Sequence, residues 1–122
     1  MNSKQQGQTY GYRPDGSLKS GGYFGEIHRI DDPKSVSTEL SIDVDLNGKN
    51  QLIPLLVPTL NRTEIDYLMM GGEPTKDIVK KALDYSVLRI KSGKSPFAQP
   101  EEEQFPLPLP KNRLLDYKKL QR

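Results

Sequence analysis

Residues 36–46 constrain the fold more than any other segment of the chain. Alternate positions of this segment carry Val36, Thr38, Leu40, Ile42, Val44 and Leu46, and the positions between these residues are polar. Such strict alternation is typical of a β-strand with one buried and one solvated face. Asn47-Gly48 follows directly and favours a type I′ turn, because both residues tolerate positive φ. The segment therefore predicts a β-hairpin with a two-residue loop.

That loop fixes the register of the returning strand. It pairs Ile42 with Ile53, Leu40 with Leu55 and Thr38 with Val57. Largely apolar positions then meet across the hairpin, so the turn and the pattern agree. Pro54 cannot donate a hydrogen bond to a ladder, which predicts that the returning strand is an edge or is interrupted there. An edge near residues 51–57 is also a candidate for pairing with another sheet.

Two further features complete the predicted sheet. Residues 22–30 alternate more weakly and predict a first strand, which ends at the turn signal Asp31-Asp32-Pro33-Lys34. Within residues 36–46, a solvated face is expected from Ser37, Glu39, Ser41, Asp43 and Asp45.

Two helices are predicted after the hairpin. Asn61, with Glu64 three residues later, forms a capping-box pattern, and Gly71-Gly72 ends the first helix. Thr75 caps the second helix, which spans about residues 76–92. Its apolar stripe is Ile78, Val79, Ala82, Leu83, Ser86, Val87 and Ile90, and its polar side is Lys80, Lys81, Arg89 and Lys91. The predicted fold class is α+β, a small antiparallel β-hairpin or sheet packed with two helices and flanked by extended arms.

The chain divides into a module and two arms. Residues 1–21 are rich in Gly, Gln, Ser and Lys and predict an extended N-terminal arm, and residues 22–98 form the small α+β module. Residues 99–122 predict a proline-rich C-terminal arm with a short terminal helix that begins at Asn112. The prolines are expected to exclude regular structure before that helix, and residues 105–110 favour polyproline II.

The arms carry more large apolar side chains than a solvated tail usually does. Ordering an arm costs about 1–2 kcal/mol of backbone entropy per residue, so a partner surface has to offset that cost. We therefore expect the arms and the adjoining strand to bind neighbouring chains through Tyr10, Tyr12, Tyr23, Phe24, Phe105, Leu107, Leu109, Leu114, Leu115, Tyr117 and Leu120. The alternative is a disordered tail with incidental aromatic residues.

Composition excludes several functional classes. The formal net charge is +2, which is too small for a generic nucleic-acid binder. Cysteine is absent, which excludes disulfides, thiolate zinc sites and a cysteine nucleophile. No stretch approaches the length of a membrane span, and no secretory signal opens the sequence. We expect synthesis in a cytoplasm and no membrane partner.

No catalytic constellation is predicted. Asp43 and Asp45 would lie on one face of a strand, which could pair two carboxylates but equally describes an ordinary solvated face. His28 is the only histidine, and no nucleophile turn accompanies it. We therefore predict no enzyme activity, no catalytic, cofactor-binding or metal-binding residues, no cofactor and no small-molecule substrate.

Five short strings resemble a small virion-associated module of tailed bacteriophages. They are Arg13-Pro-Asp-Gly-Ser17, Gly22-Tyr-Phe-Gly-Glu26, Ser37-Thr-Glu-Leu-Ser-Ile42, Ile53-Pro-Leu-Leu-Val-Pro-Thr-Leu60 and Gly93-Lys-Ser-Pro-Phe97. The resemblance covers residues 13–98 and contains no catalytic signature. It implies a virion location and, as partners, other virion structural proteins present in multiple copies in a symmetric assembly.

Three functional interpretations follow. The first is a structural, non-enzymatic subunit of a tailed-phage virion, in the tail, neck or head–tail connector region, that binds neighbouring subunits through its arms. The alternative is a capsid-decorating or internal virion protein that contacts DNA through the basic helix and tail, although the small net charge does not favour DNA. The strand over residues 37–45 and Glu101-Glu102-Glu103 are acidic, so the basic and acidic segments could also be complementary between subunits. A third interpretation, a cell-wall hydrolase accessory module, lacks paired functional groups.

Overall fold

The computed structural model describes residues 10–111. Within these residues, four short strands come first: β1 (Ile27–His28), β2 (Val36–Ser37), β3 (Ser41–Leu46) and β4 (Lys49–Pro54). Three helices follow in the same range: α1 (Arg62–Met69), α2 (Lys76–Lys91) and α3 (Pro100–Glu103). The strands form two separate two-stranded antiparallel sheets, β1–β2 and β3–β4. The predicted α+β class is therefore confirmed. None of the helices within residues 10–111 is long and apolar enough to span a bilayer.

The β3–β4 hairpin has the predicted turn and register. Asn47 and Gly48 adopt φ values of 54° and 80°, as a type I′ turn requires. Ile42 pairs with Ile53. The ladder ends at the pair of Ser41 with Pro54, which is a pair without mutual hydrogen bonds, so the missing N–H of Pro54 removes no bond between β3 and β4. Turn chemistry and strand pattern are both local signals, which is why the sequence predicts this element well.

The prediction of one continuous strand over residues 36–46 is wrong, because this segment forms two separate strands, β2 and β3. β2 and β3 belong to different sheets, and β2 pairs with β1 instead of extending the hairpin. Between them the Thr38 hydroxyl donates a hydrogen bond to the Ser20 carbonyl, 2.6 Å away. Glu39, predicted to face solvent, is buried with 3% of its surface exposed. Contacts to the N-terminal segment therefore interrupt the ladder, and the predicted pairing of Thr38 with Val57 is absent.

The predicted first strand is much shorter than expected. Only Ile27–His28 of residues 22–30 is a strand. Gly22 has a φ of 73° and lies in a turn before it. Tyr23 and Phe24 are both buried in the core, so the weak alternation of this segment does not reflect two faces of a strand.

The two main helices begin where the capping signals predict. The backbone N–H of Glu64 donates to Asn61 Oδ1 at 2.8 Å, and the Asn61 N–H donates to Glu64 Oε1 at 2.9 Å, which completes the capping box of α1. The Ile78 N–H donates to Thr75 Oγ1 at the start of α2. Arg89, predicted on the solvated side of α2, is instead buried.

One hydrophobic core holds these elements together. It combines residues of the segment before β1, of β4 and the loop after it, and of the facing sides of α1 and α2; its members include Tyr23, Phe24, Ile53, Leu56, Val57, Ile65, Leu68, Met69, Ile78 and Ala82. The proline-rich region was predicted to lack regular structure before residue 112, but Pro100–Glu103 forms the one-turn helix α3. Proline suits the first position of a helix because its missing N–H would be unpaired there.

Replacing Ser86 with Ala is expected to stabilise the protein. Ser86 is fully buried in α2, and its hydroxyl has no hydrogen-bond partner. Removing an unsatisfied buried hydroxyl should raise the free energy of unfolding by about 1 kcal/mol. Urea unfolding of wild type and Ser86→Ala measures this difference. A clear loss of stability would contradict the unpaired state of the hydroxyl.

Candidate interaction surfaces

A buried ion pair ties the N-terminal segment to the module. Arg13 donates from Nε and Nη2 to the two carboxylate oxygens of Glu39, at 2.6 and 2.9 Å. The backbone N–H and the hydroxyl of Ser20 both donate to Glu39 Oε2 at 3.0 Å. The Arg13 guanidinium also lies over the Phe97 ring, 3.9 Å from its centroid. The fork geometry and the stacking explain why arginine occupies this position.

A second ion pair ties the C-terminal segment to the module. Arg89 donates from Nη1 and Nη2 to the carboxylate of Glu102, at 2.6 and 3.0 Å. It also donates to the carbonyls of Ser95 and Phe97, at 2.7 and 3.1 Å. The loop after α2 and helix α3 are therefore held by one side chain that is 6% exposed.

The two ion pairs meet at the loop around Phe97. Arg13 stacks on its ring, while Arg89 binds its backbone carbonyl. The Tyr23 hydroxyl donates to the neighbouring Pro96 carbonyl at 2.5 Å, and the Tyr23 and Tyr85 rings pack edge to face with centroids 5.6 Å apart. Burial raises the pKa of the Tyr23 phenol, so the hydroxyl stays protonated and able to donate. Arg13 of the N-terminal segment and the Arg89–Glu102 pair that holds α3 are thus both in contact with this loop.

Lowering the pH should weaken the Arg89–Glu102 pair. The hydrogen bonds from Arg89 hold the pKa of Glu102 below its usual value of 4.5. The unfolded chain therefore binds a proton more readily than the folded one, so this stabilisation is present above about pH 4.5 and is lost as the pH falls through the lower folded-state pKa. We expect Glu102→Gln to reduce the acid dependence of the free energy of unfolding, measured from about pH 6 to pH 3.

A matched control for this prediction is Glu101→Gln. Glu101 lies in the same helix, but its side chain is exposed. Glu101→Gln should leave the acid dependence close to that of wild type. An acid dependence unchanged by Glu102→Gln would contradict the role of the pair.

The predicted partner-binding residues fall into three groups. Tyr23 and Phe24 are buried in the core, so internal packing explains them without a partner. Tyr10 is half-buried and donates its hydroxyl to Glu26, and Leu109 packs partly against the core. Tyr12, Phe105 and Leu107 are exposed. Leu114, Leu115, Tyr117 and Leu120, with the helix predicted from Asn112, lie outside the described residues.

The exposed part of the C-terminal segment forms an open hollow, which we call the C-terminal surface. Phe105 is 79% exposed and Leu107 is 44% exposed. They line a cavity of about 290 Å³ together with Tyr23, Pro58, Tyr85 and Glu102. The Leu107 N–H donates to the Tyr23 carbonyl at 2.8 Å, which fixes the segment in this position. The structure thus displays two large apolar side chains on an anchored backbone.

A second surface lies beside β3, and we call it the β3 groove. Its volume is about 570 Å³, and it is lined mainly by apolar side chains, among them Tyr12, Pro14, Leu40, Ile42, Leu55, Leu68 and Pro74. Tyr12 is exposed and lines this groove, a backbone bridge pairs it with Leu18 within the N-terminal segment, and Arg13 next to it binds Glu39 of the module. Sequence analysis identified Tyr12 but not the groove, because its walls come from segments far apart in the chain.

The residues considered for catalysis do not form a pocket in the described part of the chain. Asp43, Asp45 and His28 are all exposed on strands. Among residues 10–111, no cluster of three or more His, Cys, Asp or Glu side chains could hold a metal ion.

The five strings that resemble the phage module mostly supply internal contacts. Arg13, Glu39 and Phe97 come from three of them and form one cluster. Gly22, from the string of residues 22–26, lies against the Thr38 carbonyl, and a Cβ atom added to Gly22 would lie 2.0 Å from that oxygen. Most residues of the string 53–60 are buried in the hydrophobic core. These strings therefore specify a fold and the attachment of its N-terminal segment. Comparison with protein-family models, curated proteins and solved structures found no match for the chain.

Proposed function

We propose that the chain is a non-enzymatic structural subunit of a tailed-phage virion, and that it binds neighbouring protein subunits through its C-terminal surface. The observation that carries the proposal is the exposure of Phe105 and Leu107 on a segment that is anchored at both sides. Helix α3 is held by Arg89, and the Leu107 backbone is held by Tyr23. A large apolar side chain displayed on an anchored backbone loses little entropy on binding, which favours association.

Protein partners suit this surface better than nucleic acid does. Phe105, Leu107, Pro58 and Tyr85 give the hollow an aromatic and aliphatic lining, which is the composition of interface cores. On the basic helix α2, Lys80 pairs with Asp84 and Lys81 pairs with Glu64. These pairs offset part of the positive charge that a DNA contact would use.

The virion setting comes from the resemblance of residues 13–98 to phage modules. A position in the tail, neck or head–tail connector fits a small subunit whose ends contact its neighbours. Other virion structural proteins, present in several copies, are the proposed partners.

Incorporation into particles tests the proposal. The tagged full chain is produced during phage assembly, and virions are purified on a density gradient and quantified by mass spectrometry. Wild type should be present at a fixed ratio to the other structural proteins. The double variant Phe105→Ser, Leu107→Ser should be incorporated about tenfold less, because loss of two apolar contacts weakens binding by at least that factor.

A matched control is Ile30→Ser. Ile30 is 49% exposed after β1 and does not line the C-terminal surface, and this variant should be incorporated as well as wild type. Thermal unfolding establishes that all three chains fold equally. Absence of wild type from the particles, or equal incorporation of the double variant, would overturn the proposal.

A further inference from the structure

The outer edge of β3 has free backbone hydrogen-bonding groups. In an antiparallel ladder, alternate residues of a strand bond to its partner, and the residues between them point away. The Leu55 N–H donates to the Leu40 carbonyl at 2.7 Å, which places the even-numbered residues of this strand on the bonded side. The N–H and C=O groups of Ser41, Asp43 and Asp45 therefore point outward. Within residues 10–111 no hydrogen bond reaches them.

The opposite edge of the hairpin is less available. On β4, Pro54 has no N–H to donate, and the Gln51 side chain donates to the Leu52 carbonyl at 3.0 Å. Blocking groups of this kind protect a strand edge from further pairing. The edge expected from sequence near residues 51–57 is thus the protected one, and β3 offers the open edge.

The open edge is acidic. Asp43 and Asp45 are exposed, and neither carboxylate forms an ion pair with another residue of the described part of the chain. Their partners across the hairpin are Leu52 and Asn50, which carry no charge. Two carboxylates at alternate positions favour an added strand with two cations spaced two residues apart. Pairing of β3 with β3 of a second copy is disfavoured, because it would bring the carboxylates of the two copies together.

The β3 groove extends the same surface. Leu40, Ser41 and Ile42 belong both to the region of the open edge and to the wall of the groove. A ligand that pairs with the edge can therefore also place apolar side chains in the groove.

The C-terminal segment has the matching chemistry. Lys111 and Arg113 are spaced two residues apart, and the remainder of the segment carries Leu114, Leu115, Asp116, Tyr117, Lys118, Lys119, Leu120 and Arg122. It thus combines five cations, one anion and four apolar side chains, which complements an acidic edge beside an apolar groove.

The geometry points to binding of residues 111–122 of one copy to the open β3 edge and the β3 groove of a second copy. In this contact the segment is extended and does not form the short helix expected from Asn112. Its backbone hydrogen bonds to Ser41, Asp43 and Asp45 supply affinity, and the cations at Lys111 and Arg113 set the position. The contact joins two different surfaces, so copies associate head to tail into a ring or a filament. This inference rests on the proposed structural role and adds a second copy of the chain as one partner.

A charge exchange between two full-length variants tests the inference. One variant carries Asp43→Lys and Asp45→Lys, and the other carries Lys111→Glu and Arg113→Glu. Sedimentation velocity should show concentration-dependent association of wild type that weakens as salt is added. Each variant alone should associate at least about tenfold more weakly, because like charges then face each other. An equimolar mixture of the two should recover association, since each tail then meets an edge of opposite charge.

The outcomes separate this contact from other possibilities. A wild type that stays monomeric at all concentrations, variants that associate like wild type, or a mixture without recovery would each overturn the inference. If the lysine substitutions lower the melting temperature, the double variant Asp43→Asn, Asp45→Asn replaces them, because it also weakens the negative charge of the edge. A peptide of residues 111–122 should then bind this variant less tightly than the peptide binds the Lys111→Glu, Arg113→Glu chain, whose β3 edge is unchanged. None of these variants changes Phe105 or Leu107, so a failure here leaves the particle-incorporation test of the proposed function intact.

Discussion

Replacing Glu39 with Gln is expected to lower the free energy of unfolding by about 3 kcal/mol, because it leaves the Arg13 guanidinium without its counter-charge in a largely buried site. Glu39 accepts four hydrogen bonds, two from Arg13 and two from Ser20. The amide of Gln offers only one oxygen and places an N–H₂ group against donors. Chemical denaturation at neutral pH measures the loss.

An exposed ion pair is the control for Glu39→Gln. Lys80 and Asp84 on α2 are 2.7 Å apart but largely exposed. Asp84→Asn should therefore cost much less stability than Glu39→Gln does. A similar small cost for Glu39→Gln would contradict the structural role of the buried pair. A double-mutant cycle with Arg13→Gln isolates the coupling energy between the two side chains.

Replacing Gly22 with Ala should destabilise the protein by about 3 kcal/mol or more. Gly22 has a φ of 73°, which costs an L-residue about 1–2 kcal/mol. The added Cβ would also lie 2.0 Å from the Thr38 carbonyl oxygen, a backbone atom that cannot rotate away. Overpacking of this kind adds about 1–3 kcal/mol. Thermal and urea unfolding of the variant measure the sum.

Gly48→Ala is a closely matched control for Gly22→Ala. Gly48 has a φ of 80°, but a Cβ atom there would meet nothing within 4 Å. Its replacement should cost only the backbone contribution of about 1–2 kcal/mol. Equal effects of the two substitutions would mean that the chain can move Thr38 away from the added methyl group.

The sequence predicts the elements whose causes are local. The β3–β4 turn depends on Asn47-Gly48, and the start of α1 depends on Asn61 and Glu64, residues only one or three positions apart. Their conformations follow from short-range sterics and hydrogen bonds. The β3–β4 turn and the start of α1 can therefore be predicted without knowledge of the rest of the chain.

The contacts that hold the N-terminal and C-terminal segments to the module were not predicted from the sequence, because they join distant residues. Arg13 and Glu39 are 26 positions apart, and Arg89 and Glu102 are 13 apart. Each charged side chain taken alone suits a solvated face, since Glu39 sits among polar alternate positions and Arg89 sits beside Lys91. Only the tertiary structure brings the partners together and makes burial of the charges possible.

The candidate surfaces were predictable only in part. Phe105 and Leu107 lie in a proline-rich segment, where apolar side chains have no regular element to pack beneath them. Tyr23 and Phe24 were grouped with them because they directly follow the predicted N-terminal arm, yet both belong to the core. The open edge of β3 depends on the absence of a neighbouring strand within residues 10–111, which neither the turn nor the alternation pattern predicts.

Hydroxyl-radical footprinting of the free chain and of intact particles tests most directly whether Phe105 belongs to an interface. Phe105 is 79% exposed in the chain, and Met70, which caps the end of α1 and does not line the C-terminal surface, is 60% exposed and serves as the internal reference. Burial of Phe105 by a neighbouring subunit should lower its oxidation rate at least about fivefold in particles while Met70 remains reactive, as expected for the desolvated centre of an interface. Equal oxidation of Phe105 in the free chain and in particles would contradict the proposed interface.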